Sequence, residues 1–305
     1  SKMICASLLA IRIVFALGVR NQASHQTAVV STPCQLSPRP FLKWAGGKGR
    51  LLDQYAPFLP QTCNTYFEPF LGGGAVFFDM AKRFDRAVLA DINPELVNVY
   101  RCVKGRVDDV IDLLELHKRC HCKEYYYHLR QQHDLNAPVE RAARLIYLNK
   151  TCYNGLYREN SQGRFNVPMG KYKNPAICDP TLLRVASQTL QRADIAELPF
   201  ETILDWPLSS LDFVYFDPPY HPISVTSSFT RYNRYGFGAK DQERLAIVFR
   251  KLASRGVQVM LSNSDCELIR KLYAGFPMHR IRAARAINSK PGRRGKIQEL
   301  LITSY

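Results

Sequence analysis

Acidic residues are scarce in this 305-residue chain: 26 Asp+Glu stand against 42 Lys+Arg, a formal net charge of +16. The deficit is uneven. Residues 1–40 hold no acid at all, residues 41–100 balance six basic against six acidic, and Arg280 to Lys296 holds seven basic residues without an acid. A basic excess on a chain that is 46% hydrophobic and 11% aromatic excludes a disordered basic arm and points to a folded protein with a polyanionic partner.

Other absences exclude more. Nine cysteines (Cys5, Cys34, Cys63, Cys102, Cys120, Cys122, Cys152, Cys178, Cys266) follow no regular spacing, so a disulfide framework is not indicated and a reduced compartment fits better. His117, Cys120, His121, Cys122 and His128 cluster as metal ligands would, but a paired C-x-x-C is missing, and they read as ordinary helix and loop residues with no metal. There is no internal repeat. The apolar run Met3–Val19 is broken by Arg12, which is costly in a signal segment or membrane span, and the Ser/Thr/Gln/Pro-rich stretch 21–40 reads as linker. Residues 1–39 are therefore expected to be a poorly ordered extension.

From Pro40 onward the pattern is ordered. The apolar run Thr65–Phe70 reads as a strand, the cluster Gly72-Gly73-Gly74 as a turn and Ala75–Phe84 as a helix; a second strand, Arg86–Ala90, ends in Asp91. Strand, glycine turn, helix, strand and acid in that order open a Rossmann-like α/β domain. Glu95–Leu129 and Val139–Asn149 read as helical, and Cys152–Pro175, rich in Asn, Gly, Tyr and basic residues, as an inserted recognition loop or hairpin. Leu211–Phe216, Val257–Ser262 and Ile297–Tyr305 complete the predicted strands.

Three constellations carry chemistry. Gly72 and Gly74 allow close backbone approach at a helix start, and Asp91, 19 residues beyond Gly72, stands where an acid accepts hydrogen bonds from a ribose diol. Phe77 occupies the last glycine position of the dinucleotide fingerprint, so a ribose-bearing ligand without a pyrophosphate fits better, with a purely structural turn as the alternative. Around Gly47-Lys48 a phosphate loop fails, because Leu42 and Gly49 stand where glycine and Ser/Thr are required; Trp44 and Lys48 would instead offer an aromatic wall and a cation. Most informative is Asp217-Pro218-Pro219-Tyr220 at the end of an apolar strand. Consecutive prolines stop the strand and fix the backbone, leaving a carboxylate, a proline carbonyl and an aromatic ring on one rigid corner suited to a planar exocyclic amine.

The runs FLKWAGGKGRLL, YFEPFLGGGAVFF, ADINPELVNVY, NGLYRENSQGRFNVPMGKYKNP, DFVYFDPPYHPISVTSSFTRY and VMLSNS resemble the Dam-type DNA adenine-N6 methyltransferases of the D12 class, in their α-type motif order, from about Pro40 to Tyr305. The resemblance implies a Rossmann-like S-adenosylmethionine-dependent methyltransferase fold, with residues 40–104 and 201–305 forming the catalytic domain and 105–200 a mostly helical DNA-recognition insert. It implies S-adenosylmethionine held by Trp44, Lys48, Phe70, Gly72, Gly74, Asp91 and Asp217, and a flipped adenine gripped by Asp217, Pro218, Pro219 and Tyr220. It implies DNA contacts from Lys43, Arg158, Gln162, Arg164, Lys171 and Tyr172, while the basic stretch adds Arg293 and Arg294 along phosphates. The loop Ser227–Tyr232 would fill the gap left by the flipped base or form a solvated lid.

The expected partner is double-stranded DNA, methylated at adenine N6 within GATC, with no membrane; the expected enzyme is a cytoplasmic monomer of bacterial or phage type, working alone or functionally beside a cognate restriction nuclease. One departure bears on specificity: the hairpin tip reads Ser161-Gln162-Gly163-Arg164, whereas enteric relatives carry arginine where Gln162 stands. Either Arg164 takes over that contact or the recognised sequence differs. A cytosine-N4 enzyme usually has Ser, and a protein-glutamine enzyme Asn, at the position of Asp217.

Overall fold

The computed structural model describes residues 36–222, 236–284 and 296–305. The expected extension 1–39, apart from its last four residues, the loop Ser227–Tyr232 and the pair Arg293 and Arg294 lie outside the described residues.

In chain order the helices are α1 (Leu52–Tyr55), α2 (Ala75–Asp79), α3 (Pro94–Gly105), α4 (Val107–Arg119), α5 (Lys123–Gln131), α6 (Pro138–Thr151), α7 (Pro180–Leu190), α8 (Ala239–Ser254) and α9 (Glu267–Leu272). The strands are β1 (Cys63–Glu68), β2 (Phe84–Asp91), β3 (Ala193–Glu197), β4 (Phe213–Phe216), β5 (Gln258–Ser264), β6 (Met278–Ala284) and β7 (Lys296–Thr303). They form one seven-stranded sheet in the order β3-β2-β1-β4-β5-β7-β6. The first five are parallel to their neighbours, and β7 runs antiparallel to both β5 and β6. The α/β reading holds. None of the helices among the described residues is long and apolar enough to cross a membrane.

Side-chain alternation along the strands divides the core in two, because successive residues of a strand point to opposite faces. Tyr66, Phe213, Tyr215, Met260 and Leu301 pack on one side, whereas Phe67, Val214, Phe216, Val259, Leu261, Leu300 and Ile302 pack on the other. Every residue of β4 is buried, as a central parallel strand covered on both faces requires.

The first face is covered mainly by helices α3 to α7, which the chain inserts between β2 and β3. Their starts are chemically marked. Asn93 Oδ1 accepts from the N–H groups of Glu95 and Leu96 at 3.0 and 3.2 Å, and Pro94 occupies the first helical position. Asp179 and Pro180 repeat the device at α7, with Leu182 N–H donating to Asp179 Oδ1 at 3.0 Å. The opposite face is covered by α8 through Leu245, Phe249 and Leu252.

Several differences from the sequence reading have physical causes. Strand β3 falls inside the span 105–200 expected as the insert, yet it pairs with β2 from Ala87↔Ala193 to Asp91↔Glu197; its sequence, Ala-Asp-Ile-Ala-Glu, lies on the sheet edge and carries little hydrophobic signal. The helix expected over 75–84 ends at Asp79, passes into a 3-10 turn and yields to β2, which starts at Phe84. The basic stretch opens in β6, where Arg280 is exposed and 3.6 Å from Asp265, while Ile281 beside it is buried on the other face.

Candidate active site

Strand order reverses between β1 and β4, with β2 and β3 running away on one side and β5 on the other. At such a switch point the two crossover connections diverge, and a crevice opens beyond the carboxyl ends of the strands. The glycine turn follows β1 and Asp217-Pro218-Pro219-Tyr220 follows β4, so topology brings the two motifs to the same crevice.

The turn is shaped by left-handed glycines. Gly72 and Gly74 have φ of 48° and 66°, and a Cβ on Gly72 would lie 2.9 Å from the Trp44 ring. Trp44 therefore lies against the turn, with its other contacts including Tyr157, stacked at 5.3 Å. Gly72 N–H donates to Asp91 Oδ2 at 3.1 Å and Asn93 N–H to Asp91 Oδ1 at 3.0 Å, tying the end of β2 to the turn after β1. Burial raises the Asp91 pKa, opposed by these backbone donors. Each of its oxygens keeps lone-pair capacity for a hydroxyl. Phe70 stacks on Phe200 at 5.4 Å and meets Phe237 edge-on at 5.6 Å, an aromatic wall on the opposite side of the sheet from Trp44's packing partners.

At the second motif, Asp217 Oδ1 receives Lys48 Nζ at 2.8 Å and the Ser262 hydroxyl at 2.7 Å. Lys48 is buried, also donates to the Gly46 carbonyl at 2.6 Å, and its Nζ stands 4.7 Å from the centroid of the Tyr220 ring. The Pro219 carbonyl accepts from Gln242 at 2.9 Å, whereas the Pro218 carbonyl meets no donor among the described residues. Asn263 and Ser264 hold the backbone just beyond: Asn263 Oδ1 accepts from His221 N–H at 3.1 Å, and the Ser264 hydroxyl donates to the His221 carbonyl at 2.6 Å. One carboxylate oxygen, one free carbonyl and one ring are thus fixed by neighbours that leave them available. Glu68, at the end of β1, is buried, accepts from the Tyr66 hydroxyl at 2.9 Å and has its pKa pushed well up by burial.

The expected DNA-contacting residues occupy a second locus. Within the span Cys152–Pro175, expected as a loop or hairpin, residues 158–166 turn back on themselves, with Glu159 bridged to Phe165 and Asn166 N–H donating to the Arg158 carbonyl at 3.0 Å. The tip is wound around Asn160 Oδ1, which accepts from the N–H groups of Gln162 and Arg164, both at 3.0 Å. Arg158 Nε donates to Asn166 Oδ1 at 2.7 Å. Lys43 Nζ stands 4.1 Å over the Tyr172 ring, joining the first motif to the far end of the segment 152–175, and Lys171 is exposed.

Sequence reasoning missed four contributors: Ser262, which fixes Asp217; Gln242, which occupies Pro219; Asn149, whose side chain bonds both Lys43 and Gly155; and Glu299, discussed below. It also passed over Tyr153, 51% exposed and followed by Asn154, the single non-glycine residue with positive φ among the described residues. A strained residue beside an exposed ring on a loop is a signal only the backbone carries.

Residues 44–287 match the family described as D12 class N6 adenine-specific DNA methyltransferase. The chain is 45% identical over 278 residues to the type II methyltransferase M1.LlaDCHI of Lactococcus lactis subsp. cremoris, covering 89% of this chain and 97% of that protein. It is 44% identical over 290 residues to the type II methyltransferase M.MjaIII of Methanocaldococcus jannaschii, covering 88% and 99%. With the DNA adenine methylase of Escherichia coli K12 it shares 39% identity over 268 residues, covering 86% and 94%.

Proposed function

The chain belongs to the D12 class of N6 adenine-specific DNA methyltransferases, and from that premise we propose that it transfers the methyl group of S-adenosylmethionine to adenine N6 in double-stranded DNA, within GATC. The observation that carries this reading is the convergence of four distant segments on one crevice: Lys48, the Gly72 turn, Asp91 and the Asp217–Tyr220 corner. The residues fit the donor. Gly72 lets the Trp44 ring lie against the turn where a Cβ would collide with it, Asp91 offers an acceptor for a ribose diol, and Trp44 and Phe70 offer apolar walls. When bound, the cofactor supplies an electrophilic methyl on a sulfonium.

The chain's own part is positioning. The N6 lone pair of adenine is delocalised into the purine, so accepting both amine hydrogens, one at the Asp217 carboxylate and one at the Pro218 carbonyl, favours a pyramidal, nucleophilic nitrogen. Lys48 and Ser262 hold Asp217 for that task. One face of the Tyr220 ring is covered by Lys48, so the opposite face is the one that receives the base. Extruding adenine from the duplex costs a few kcal/mol, part of which stacking on Tyr220 offsets.

The hairpin 158–166 and Lys43 are the proposed base readers, each bidentate contact contributing about 1–3 kcal/mol of discrimination. Action in the cytoplasm as a monomer, alone or beside a cognate nuclease, is part of the same reading. The test is incubation of labelled S-adenosylmethionine with duplexes carrying GATC or single-base variants, followed by mapping of methylated adenines. Label at GATC adenine alone is expected; label at another sequence would remove the GATC assignment, and DNA binding without label would remove the activity.

A further inference from the structure

Glu299 stands out on grounds unrelated to the motifs. It is the single acid between Arg280 and Tyr305, half-buried in a strand whose next three residues, Leu300, Leu301 and Ile302, are 0–1% exposed. An apolar residue would pack there at less cost, since burial disfavours the charged carboxylate and raises the Glu299 pKa. What the carboxylate does is accept a hydrogen bond of 2.8 Å at Oε2 from the Tyr220 hydroxyl.

Sheet register explains how a residue 79 positions away reaches that ring. Glu299 lies opposite Ser264 of β5 and Ile281 of β6. Alternation along β7 puts it on the face of Leu301, which is also the face of Tyr215 and Met260. Two residues along β5, Ser262 bonds both Tyr215 and Asp217, at 3.0 and 2.7 Å. The antiparallel end of the sheet therefore grips both ends of the Asp-Pro-Pro-Tyr corner: β5 fixes the carboxylate, and β7 fixes the tip of the ring. Lys48, 4.7 Å over the ring face, supplies the third constraint. A tyrosine ring tethered at its hydroxyl and covered on one face keeps a single orientation for whatever stacks on the other.

We propose that Glu299 is a positioning residue that, by accepting the Tyr220 hydroxyl, sets the plane on which the target adenine stacks and so the line of approach of N6 to the methyl group. This rests on the reading of Tyr220 as the stacking platform. It predicts that losing the bond lowers the single-turnover rate of DNA methylation without changing cofactor affinity, because orientation and not binding is lost. A misplacement of about 1 Å at the reacting atoms can lower a rate on the order of 100-fold, so a loss of about 10- to 100-fold is expected.

The experiment compares the intact chain with Glu299→Leu, Glu299→Gln, Tyr220→Phe and the Glu299→Leu/Tyr220→Phe pair, measuring single-turnover methylation of a duplex and the Kd for S-adenosylmethionine. Glu299→Leu and Tyr220→Phe should fall by similar factors, the pair should be no slower than either alone, Glu299→Gln should recover most of the rate, and all four Kd values should stay within about twofold. Independent, multiplying losses in the pair would overturn the inference, as would a Kd change that accounts for the rate change. Should Glu299→Leu not fold, Tyr220→Phe carries the test from the other side of the bond, and its retention of full rate would be equally decisive against Glu299. Failure of the unaltered chain to methylate DNA would instead strike the function proposed above.

Discussion

Replacing Asn149 with leucine tests whether the first motif and the recognition region are held by one side chain. Asn149 is 1% exposed and makes three bonds: Oδ1 accepts from Lys43 N–H at 2.8 Å, and Nδ2 donates to the carbonyls of Lys43 at 2.6 Å and Gly155 at 3.2 Å. Leucine matches the shape of asparagine and makes none of these bonds. Lys43 itself is exposed, so water can rescue part of its backbone, and a net loss of about 1 kcal/mol per bond is the appropriate scale rather than the full penalty of a sealed polar group. The sum is about 3 kcal/mol, or a fall in Tm of roughly 6–12 °C for a domain of this size.

The functional effect follows from the geometry of Gly155. Its φ is 63°, and an added Cβ would stand 2.5 Å from the Lys43 side chain, so the two segments touch and are registered by Asn149. Freed of that clamp, Lys43 and the loop leading to Arg158 no longer move as a unit. Discrimination between the preferred site and its single-base variants should drop about tenfold, in the range of one base contact. The assays are thermal unfolding and kcat/KM on the two duplexes. A Tm within 2 °C of the parent, together with unchanged discrimination, would refute the clamp.

Further expectations follow from other groups. Asp217→Asn should abolish most methyl transfer while preserving the fold; Asp217→Ala is a poorer test, because it strands the buried Lys48 ammonium at a cost of roughly 3–5 kcal/mol, so a folded but inactive Asn variant and an unstable Ala variant are expected in denaturation and activity assays. Gly72→Ala forces a side chain into left-handed backbone against Trp44, and calorimetry should show S-adenosylmethionine binding weakened about tenfold or more; unchanged affinity would remove the turn from the cofactor site. His117 is buried, with its pKa lowered to about 4, and its Nδ1 lies 2.7 Å from the Tyr125 hydroxyl. The unfolded chain takes up that proton near pH 6.5 and the folded chain does not, so stability is intact above pH 6.5 and falls by about 3 kcal/mol as pH drops toward 4. His117→Phe should flatten denaturation midpoints across that window. Replacing Arg293 and Arg294 with glutamine should weaken DNA binding and reduce the slope of log K against log salt by up to about 2, with the methylated sequence unchanged.

The parts of this fold that are legible in sequence are those where one residue type has few other uses. Gly72 and Gly74 are needed because their backbone is left-handed, and Pro218-Pro219 because a parallel strand must end there; both features are local, so reading along the chain finds them. Buried parallel strands such as β4 announce themselves as unbroken apolar runs. Edge strands do not. β3 and β6 each need one apolar face at most, and Met278–Ala284, with its two arginines and a histidine, reads as a charged surface until its pairing with β7 is known.

The supporting residues were hidden for a related reason. Ser262, Gln242, Asn149 and Glu299 are common polar residues whose roles depend on partners 45, 23, 106 and 79 positions away, distances that only sheet register and helix packing turn into bonds of 2.6–2.9 Å. A burial argument narrows the search even so. A polar side chain inside an otherwise apolar strand or helix is costly unless it is satisfied. Serine and asparagine in Val-Met-Leu-Ser-Asn-Ser and glutamate in Glu-Leu-Leu-Ile therefore call for partners without saying which. Ser262, Asn263, Ser264 and Glu299 each have a partner at a single corner, Asp217 to His221, and Asn263 also bonds Gln242, which bonds that corner in turn. Rigidity at the reacting groups is thus built by the antiparallel end of the sheet, while the parallel end and its glycine turn leave room for a ligand.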